Sequence, residues 1–189
     1  MIFLQAISEE FYTIFMKPLK IAHTLWQSHL LGKKSFVVDA TCGNGYDSLF
    51  LASLPCVTLY CIDIQKEAID RTKNTLLHHQ NCTFYNTSHQ DLSFIQEPID
   101  LIVYNLGYLP HSDKSIITTP ETTLLSLKSA LSILKPEGMI SLMIYTGHQG
   151  GNEEKKAIFS FIETLSPRLN ISYITHPFKT NCPEIVLIH

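Results

Sequence analysis

Short apolar runs separated by stretches of helical periodicity set the pattern of this chain. Runs at 35–39, 57–63, 82–85, 99–105, 139–145, 171–175 and 185–188 are the strand candidates. Several are continuous rather than alternating, as expected of strands covered on both faces. Helix candidates lie between them at 46–53, 67–79, 121–134 and 152–165. In the third, Leu124, Leu127, Leu131 and Leu134 recur at helical spacing, and Lys135-Pro136-Glu137-Gly138 stops it. Two further helices, 7–16 and 19–31, precede the first strand. Such alternation predicts an α/β fold, a doubly wound and mostly parallel seven-stranded sheet with helices on both faces. The last two strands have no helix between them, which predicts an antiparallel, hairpin-like edge. The expected organisation is one domain over 1–189, with 1–34 a helical extension and 35–189 the core.

Composition narrows the class. Hydrophobic residues make up 45% of the 189 and charged residues 16%, which excludes a disordered chain. A net charge of -3 argues against a protein that clamps long nucleic acid, so any RNA contact should be local. The five cysteines form no CxxC or Cys/His cluster of zinc spacing, so free thiols are expected and no metal is implied. The apolar start, Met1 to Leu4, has no basic segment before it and meets Glu9 and Glu10 soon after, a poor leader. No apolar run reaches membrane-spanning length. The expectation is a soluble, cytoplasmic protein.

The strongest local signal runs from Val37 to Ser48, where a buried strand ends in Asp39 and a Gly43-Asn44-Gly45 turn opens a helix. Glycines there let the backbone turn tightly and approach a ligand. A second strand ends at Asp63, where a carboxylate can accept both hydroxyls of a ribose. A dinucleotide site would want a third small residue at position 48 and no acid near the phosphates. Position 48 is Ser, and Asp39 and Asp47 place negative charge where a pyrophosphate would sit. S-adenosylmethionine (SAM) has no phosphate: its ammonium and sulfonium suit acids, and its carboxylate suits exposed backbone N–H groups. SAM is therefore the expected cofactor, ahead of a nicotinamide or flavin. Ser88-His89-Gln90-Asp91 follows the third strand and would lie beside the adenine, unless it is an ordinary polar loop.

After the fourth strand comes Asn105-Leu106-Gly107-Tyr108-Leu109-Pro110. It resembles the (D/N/S)PPY-type motif of methyltransferases that act on amino nitrogens. The Asn105 amide oxygen and a backbone carbonyl can accept two N–H bonds and aim the nitrogen lone pair, while Tyr108 can stack on a base. Tyr145, Gly147 and His148 follow the fifth strand and make a substrate wall, with His148 a candidate proton acceptor. His111 and Lys114 are weaker substrate candidates. His23 and Trp26, three apart on a helix, read as packing.

Together, D-A-T-x-G-N-G-x-D at 39–47, C-x-D-I-Q at 61–65, S-H at 88–89, N-L-G-Y-L-P at 105–110, K-S-I-x-T at 114–118 and Y-x-G-H-x-x-G at 145–151 resemble one family. It is that of the small bacterial SAM-dependent methyltransferases labelled rRNA methylases. Its members convert 5-aminomethyl-2-thiouridine at the tRNA wobble position to the 5-methylaminomethyl form. The resemblance implies a Rossmann-like class I methyltransferase fold. It implies SAM contacts from Asn44, Asp47, Asp63, Gln65 and His89, and a substrate face from Asn105, Tyr108 and the loop 145–151. The chain departs from the family at Cys42, Gln90 and His111-Ser112. The implied partner is a tRNA anticodon stem-loop. Lys33, Lys34, Lys114, Lys155 and Lys156 are the candidate phosphate contacts, unless they are plain solvated surface. Methylation of rRNA and a catalytically silent SAM-binding module stay open, and the oligomeric state, a homodimer included, is not legible in the sequence.

Overall fold

The computed structural model describes residues 18–107, 117–176 and 182–189. Helix α1 (Pro18–Leu30) leads into β1 (Ser35–Asp39), α2 (Tyr46–Ser53), β2 (Val57–Asp63), α3 (Lys66–Thr75) and β3 (Cys82–Asn86). Strand β4 (Ile99–Leu106), α4 (Pro120–Ile133), β5 (Leu134–Ile144), α5 (Gly151–Glu163), β6 (Ile171–Ile174) and β7 (Glu184–Ile188) follow. One seven-stranded sheet runs in the order β3-β2-β1-β4-β5-β7-β6. Its first five strands are parallel, and β7 pairs antiparallel with both β5 and β6. The two final strands thus do pair antiparallel, but β7 inserts beside β5 and leaves β6 as the edge. The expected helix at 7–16 lies outside the described residues.

Successive residues of each inner strand point to opposite faces and enter different cores. Val37, Leu59, Leu101 and Val103 pack with Trp26 of α1, Leu51 of α2 and Ile69 of α3. Their neighbours Val38, Ile62, Ile102 and Tyr104 pack on the other face with Leu127 of α4 and Ile158 of α5. Continuous apolar runs are the sequence counterpart of this two-sided burial. The 19–31 extension is no loose appendage: Ala22, Trp26 and Leu30 are buried in the first core.

Two boundaries differ from expectation by about a helical turn or more. Strand β5 starts at Leu134, not 139, because Leu134 pairs with Ile99 before the register shifts to Leu101 opposite Met139. The Lys135-Pro136-Glu137-Gly138 stop survives as the irregularity, and Lys135 Nζ is held 2.7 Å from buried Asp100. Helix α3 ends at Thr75 rather than 79, where Leu76 turns into the core and its carbonyl takes the His79 N–H. Sheet order reverses between β1 and β4, and their carboxyl ends, Asp39 and Asn105, flank the crevice where open α/β sheets take ligands.

Candidate functional site

A cavity of about 500 Å³ opens at those strand ends. Its floor is the loop 40–45, stitched to the sheet by Ala40 N–H to the Val103 carbonyl and Cys42 N–H to the Ile62 carbonyl. Gly45 has φ +79°, and a Cβ there would stand 3.0 Å from the Thr72 backbone, so the turn needs glycine at this point. Among the described residues no side chain caps α2, which leaves its first-turn N–H groups without a side-chain acceptor.

Asp63 closes one side of the cavity. One oxygen accepts from Gly43 N–H at 3.0 Å and the other from Gln65 N–H at 2.9 Å. Burial raises its pKa, and those backbone donors pull it back. Ser88, His89 and Gln90 form the next wall. Burial pushes the His89 pKa down to about 4, so its ring is neutral near pH 7. Among the described residues nothing pairs with its buried Nδ1. Buried polar atoms are seldom left unpaired, so a nitrogen of this kind at a cavity wall fits a ligand's polar edge.

Another side of the cavity is built on the end of β4. Asn105 N–H donates to Thr41 Oγ1 at 2.7 Å, and its side-chain Nδ2 donates to Asp47 Oδ2 at 2.7 Å. The second Asp47 oxygen lies 2.6 Å from His23 Nε2 on α1. Tyr145 also lines the cavity, and burial followed by the Asp47 charge raises the pKa of its phenol. Gly107 has φ +140° and lies so close to His148 that a Cβ would sit 3.2 Å from Nε2. Two hydrogen bonds join Gly107 to Thr118: Gly107 N–H to Oγ1 at 2.8 Å, and Thr118 N–H to the Gly107 carbonyl at 2.9 Å. Beneath them, buried Glu154 of α5 accepts from Thr118 at 3.0 Å and Thr123 at 2.6 Å.

The structure brings Gly43, Asn44, Asp47, Asp63, Gln65, Ser88, His89, Asn105, Tyr145, Gly147 and His148 to one cavity. Asp39 and Gly45 do not line it. Asp39, expected at the ligand, is enclosed under the loop, where its Oδ2 accepts from Ser48 at 2.6 Å. Burial first, then the Asp47 charge, pushes the Asp39 pKa up to about 7. Cys42 lines the cavity, but burial drives its thiol pKa far up, which disqualifies it as a neutral-pH nucleophile. Tyr108, His111 and Lys114 lie outside the described residues. Lys33 stands 3.7 Å from Asp100 and Lys155 2.6 Å from Glu184, so both charges already have partners within the chain. Sequence reasoning missed His23, Thr41, Thr118 and Glu154. Thr41 and Thr118 stand inside recognised motifs without a role read from them, and His23 and Glu154 carried no signal beyond residue type, because each meets its partner far along the chain.

Among the described residues no helix is long and apolar enough to cross a membrane, and no cluster of three metal-ligating side chains occurs. The chain is 39% identical over 161 residues, 77% of its length, to the Arabidopsis thaliana "tRNA (mnm(5)s(2)U34)-methyltransferase, chloroplastic". It spans 58% of the length of that relative. Its fold superimposes on a "putative rRNA-methylase" from Clostridium thermocellum with a TM-score of 0.85 and 34% identity, covering 91% of this chain and 96% of that one. A Streptococcus mutans protein solved in complex with SAH gives a TM-score of 0.82 and 32% identity, covering 91% and 97%. The family model described as "Putative rRNA methylase" matches residues 59–189, more than half of the chain, and the chain belongs to that family.

Proposed function

We propose that the protein transfers a methyl group from SAM to the 5-aminomethyl nitrogen of a wobble 2-thiouridine in tRNA. The observation that carries this reading is the Asn105 amide. Its NH2 group is committed to Asp47, which leaves its carbonyl oxygen at the cavity as an acceptor for an amine N–H. The chemistry of the cavity supports SAM as the donor. Asp63 has lone pairs left for ribose hydroxyls, His89 Nδ1 suits the adenine edge, and the uncapped end of α2 suits a carboxylate. Asp47 adds negative charge that favours a cationic ligand. Bound there, SAM supplies an activated methyl group for direct displacement by nitrogen, so no enzyme nucleophile is called for.

The protein's own residues then have three tasks. Asn105 orients the acceptor amine, whose neutral form must be the one presented. Tyr145 offers a flat face to a splayed base. His148, which lines the cavity beside Gly107, supports the reading of an imidazole that takes the proton released by the amine. The name of the Arabidopsis thaliana relative supports the tRNA wobble uridine as substrate class, and the net charge of -3 fits a small footprint on an exposed loop.

The test is methyl transfer from labelled SAM to three acceptors: unmodified tRNA, tRNA bearing the aminomethyl group, and ribosomal subunits. Label is expected only in the aminomethyl tRNA, at the wobble nucleoside. Label in ribosomal RNA alone would overturn the proposal.

A further inference from the structure

The cavity does not account for one partly buried polar contact. His23 belongs to α1, before the SAM-site loop begins, yet its Nε2 lies 2.6 Å from Asp47 Oδ1. The ring is set from both sides. It stacks on Phe50 with centroids 3.9 Å apart and planes 7° from parallel, and it meets buried Trp26 at 5.1 Å. Asp47 is itself only 8% exposed. Its other oxygen receives the Asn105 amide at 2.7 Å, and Asn105 is pinned through its backbone to Thr41.

A carboxylate can only accept, so both contacts have a fixed sense: Nε2–H of His23 and NH2 of Asn105 each donate to Asp47. With both oxygens engaged on opposite sides, the carboxylate plane is fixed, and with it the flip state of the Asn105 amide. We infer that His23 is a positioning residue, which acts through Asp47 to hold the Asn105 carbonyl oxygen toward the acceptor nitrogen. The inference rests on the proposed acceptor role of Asn105. It gives α1 a part in acceptor alignment in addition to packing. Without the His23 donor, Asp47 regains its side-chain rotations and the amide follows it, and an acceptor misplaced by a fraction of an ångström loses rate steeply.

His23→Phe is the informative change, because it keeps the stack on Phe50 and removes only the N–H donor. His23→Gln restores an N–H at similar reach. His23→Phe should lower kcat about tenfold or more while leaving SAM affinity within about twofold, and His23→Gln should recover part of the loss. In an Asn105→Ala background, which should itself keep SAM affinity and lose turnover, His23→Phe should add little further loss. The relay is also testable with no turnover at all. The side-chain amide resonances of Asn105, identified by their loss in Asn105→Ala, should exchange slowly in the native protein. They should move toward solvent-like positions in His23→Phe and return in His23→Gln. Unchanged Asn105 resonances in a folded His23→Phe protein overturn the inference, as does a collapse of SAM affinity with kcat preserved. If no acceptor is methylated by the native protein, the proposed function fails, while the resonances still decide the relay.

Discussion

Asp63 illustrates how one side chain can serve the fold and the ligand together. Each of its oxygens takes a backbone N–H from the loop or the turn it borders, which aims the carboxylate and leaves further lone pairs at the cavity. Asp63→Ala should raise the SAM dissociation constant by about one to two orders of magnitude for each charge-assisted hydrogen bond lost, roughly 1.5–3 kcal/mol apiece. Titration calorimetry on the folded variant checks this, and an unchanged affinity would remove Asp63 from the cofactor site. Residues of this kind were legible in the sequence because the signal is local: an acid that ends a buried strand. Asp39 carries the same local signal and ends up under the loop, because the strand end alternates sides and Ser48 supplies its partner from below. His23 was legible only as a neighbour of Trp26. The Asp47 that gives it a role approaches through the fold, and no spacing rule connects the two.

Among the elements, α5 does more than cover the sheet. Its first turn brings Glu154 into the interior, where the carboxylate receives hydroxyls from Thr118, next to α4, and from Thr123 within it. Since Thr118 is bonded twice to Gly107 at the end of β4, α5 holds together both ends of the chain segment that carries the Asn105-to-Pro110 stretch. Burial raises the Glu154 pKa, and the two hydroxyl donors oppose that shift. Glu154→Ala leaves two hydroxyls without their acceptor and should lower stability by about 1–3 kcal/mol. In urea unfolding the midpoint should fall with the slope unchanged, and a midpoint equal to that of the native protein would show that the clip contributes nothing. Periodicity marked this helix and its Leu-rich predecessor well, since each buries one face. It could not mark a glutamate in a helix's first turn as buried, because acids there are ordinarily a solvated complement to the helix dipole. The starts and ends of elements were the other weak point. The β5 boundary depends on Asp100 drawing Lys135 inward across strands, a contact with no local sequence signature.

For the molecule as a whole, the sheet gathers Asp39, Asp47 and Asp63 at a single end, and Asp39 carries most of the electrostatic consequence. It is fully enclosed, and burial together with the Asp47 charge lifts its pKa from the ordinary carboxylate range to about 7. The sign of the linkage follows directly. Unfolding releases Asp39 to ionise near its ordinary pKa, so between about pH 4 and 7 the folded chain holds a proton that the unfolded chain gives up. The contribution of this group to stability is complete below its unfolded pKa and is lost as pH rises through the folded value. Asp39→Asn cannot ionise and keeps an oxygen for the Ser48 hydroxyl. Relative to the native protein, the variant should therefore gain stability from pH 5 to pH 8, on the order of 2 kcal/mol. Comparing the two proteins by denaturant unfolding at each pH isolates Asp39, because the other titrating groups are common to both. A stability difference that stays flat across that window would mean that Asp39 titrates as a solvated acid, and the loop 40–45 would then need another account of what lies beneath it.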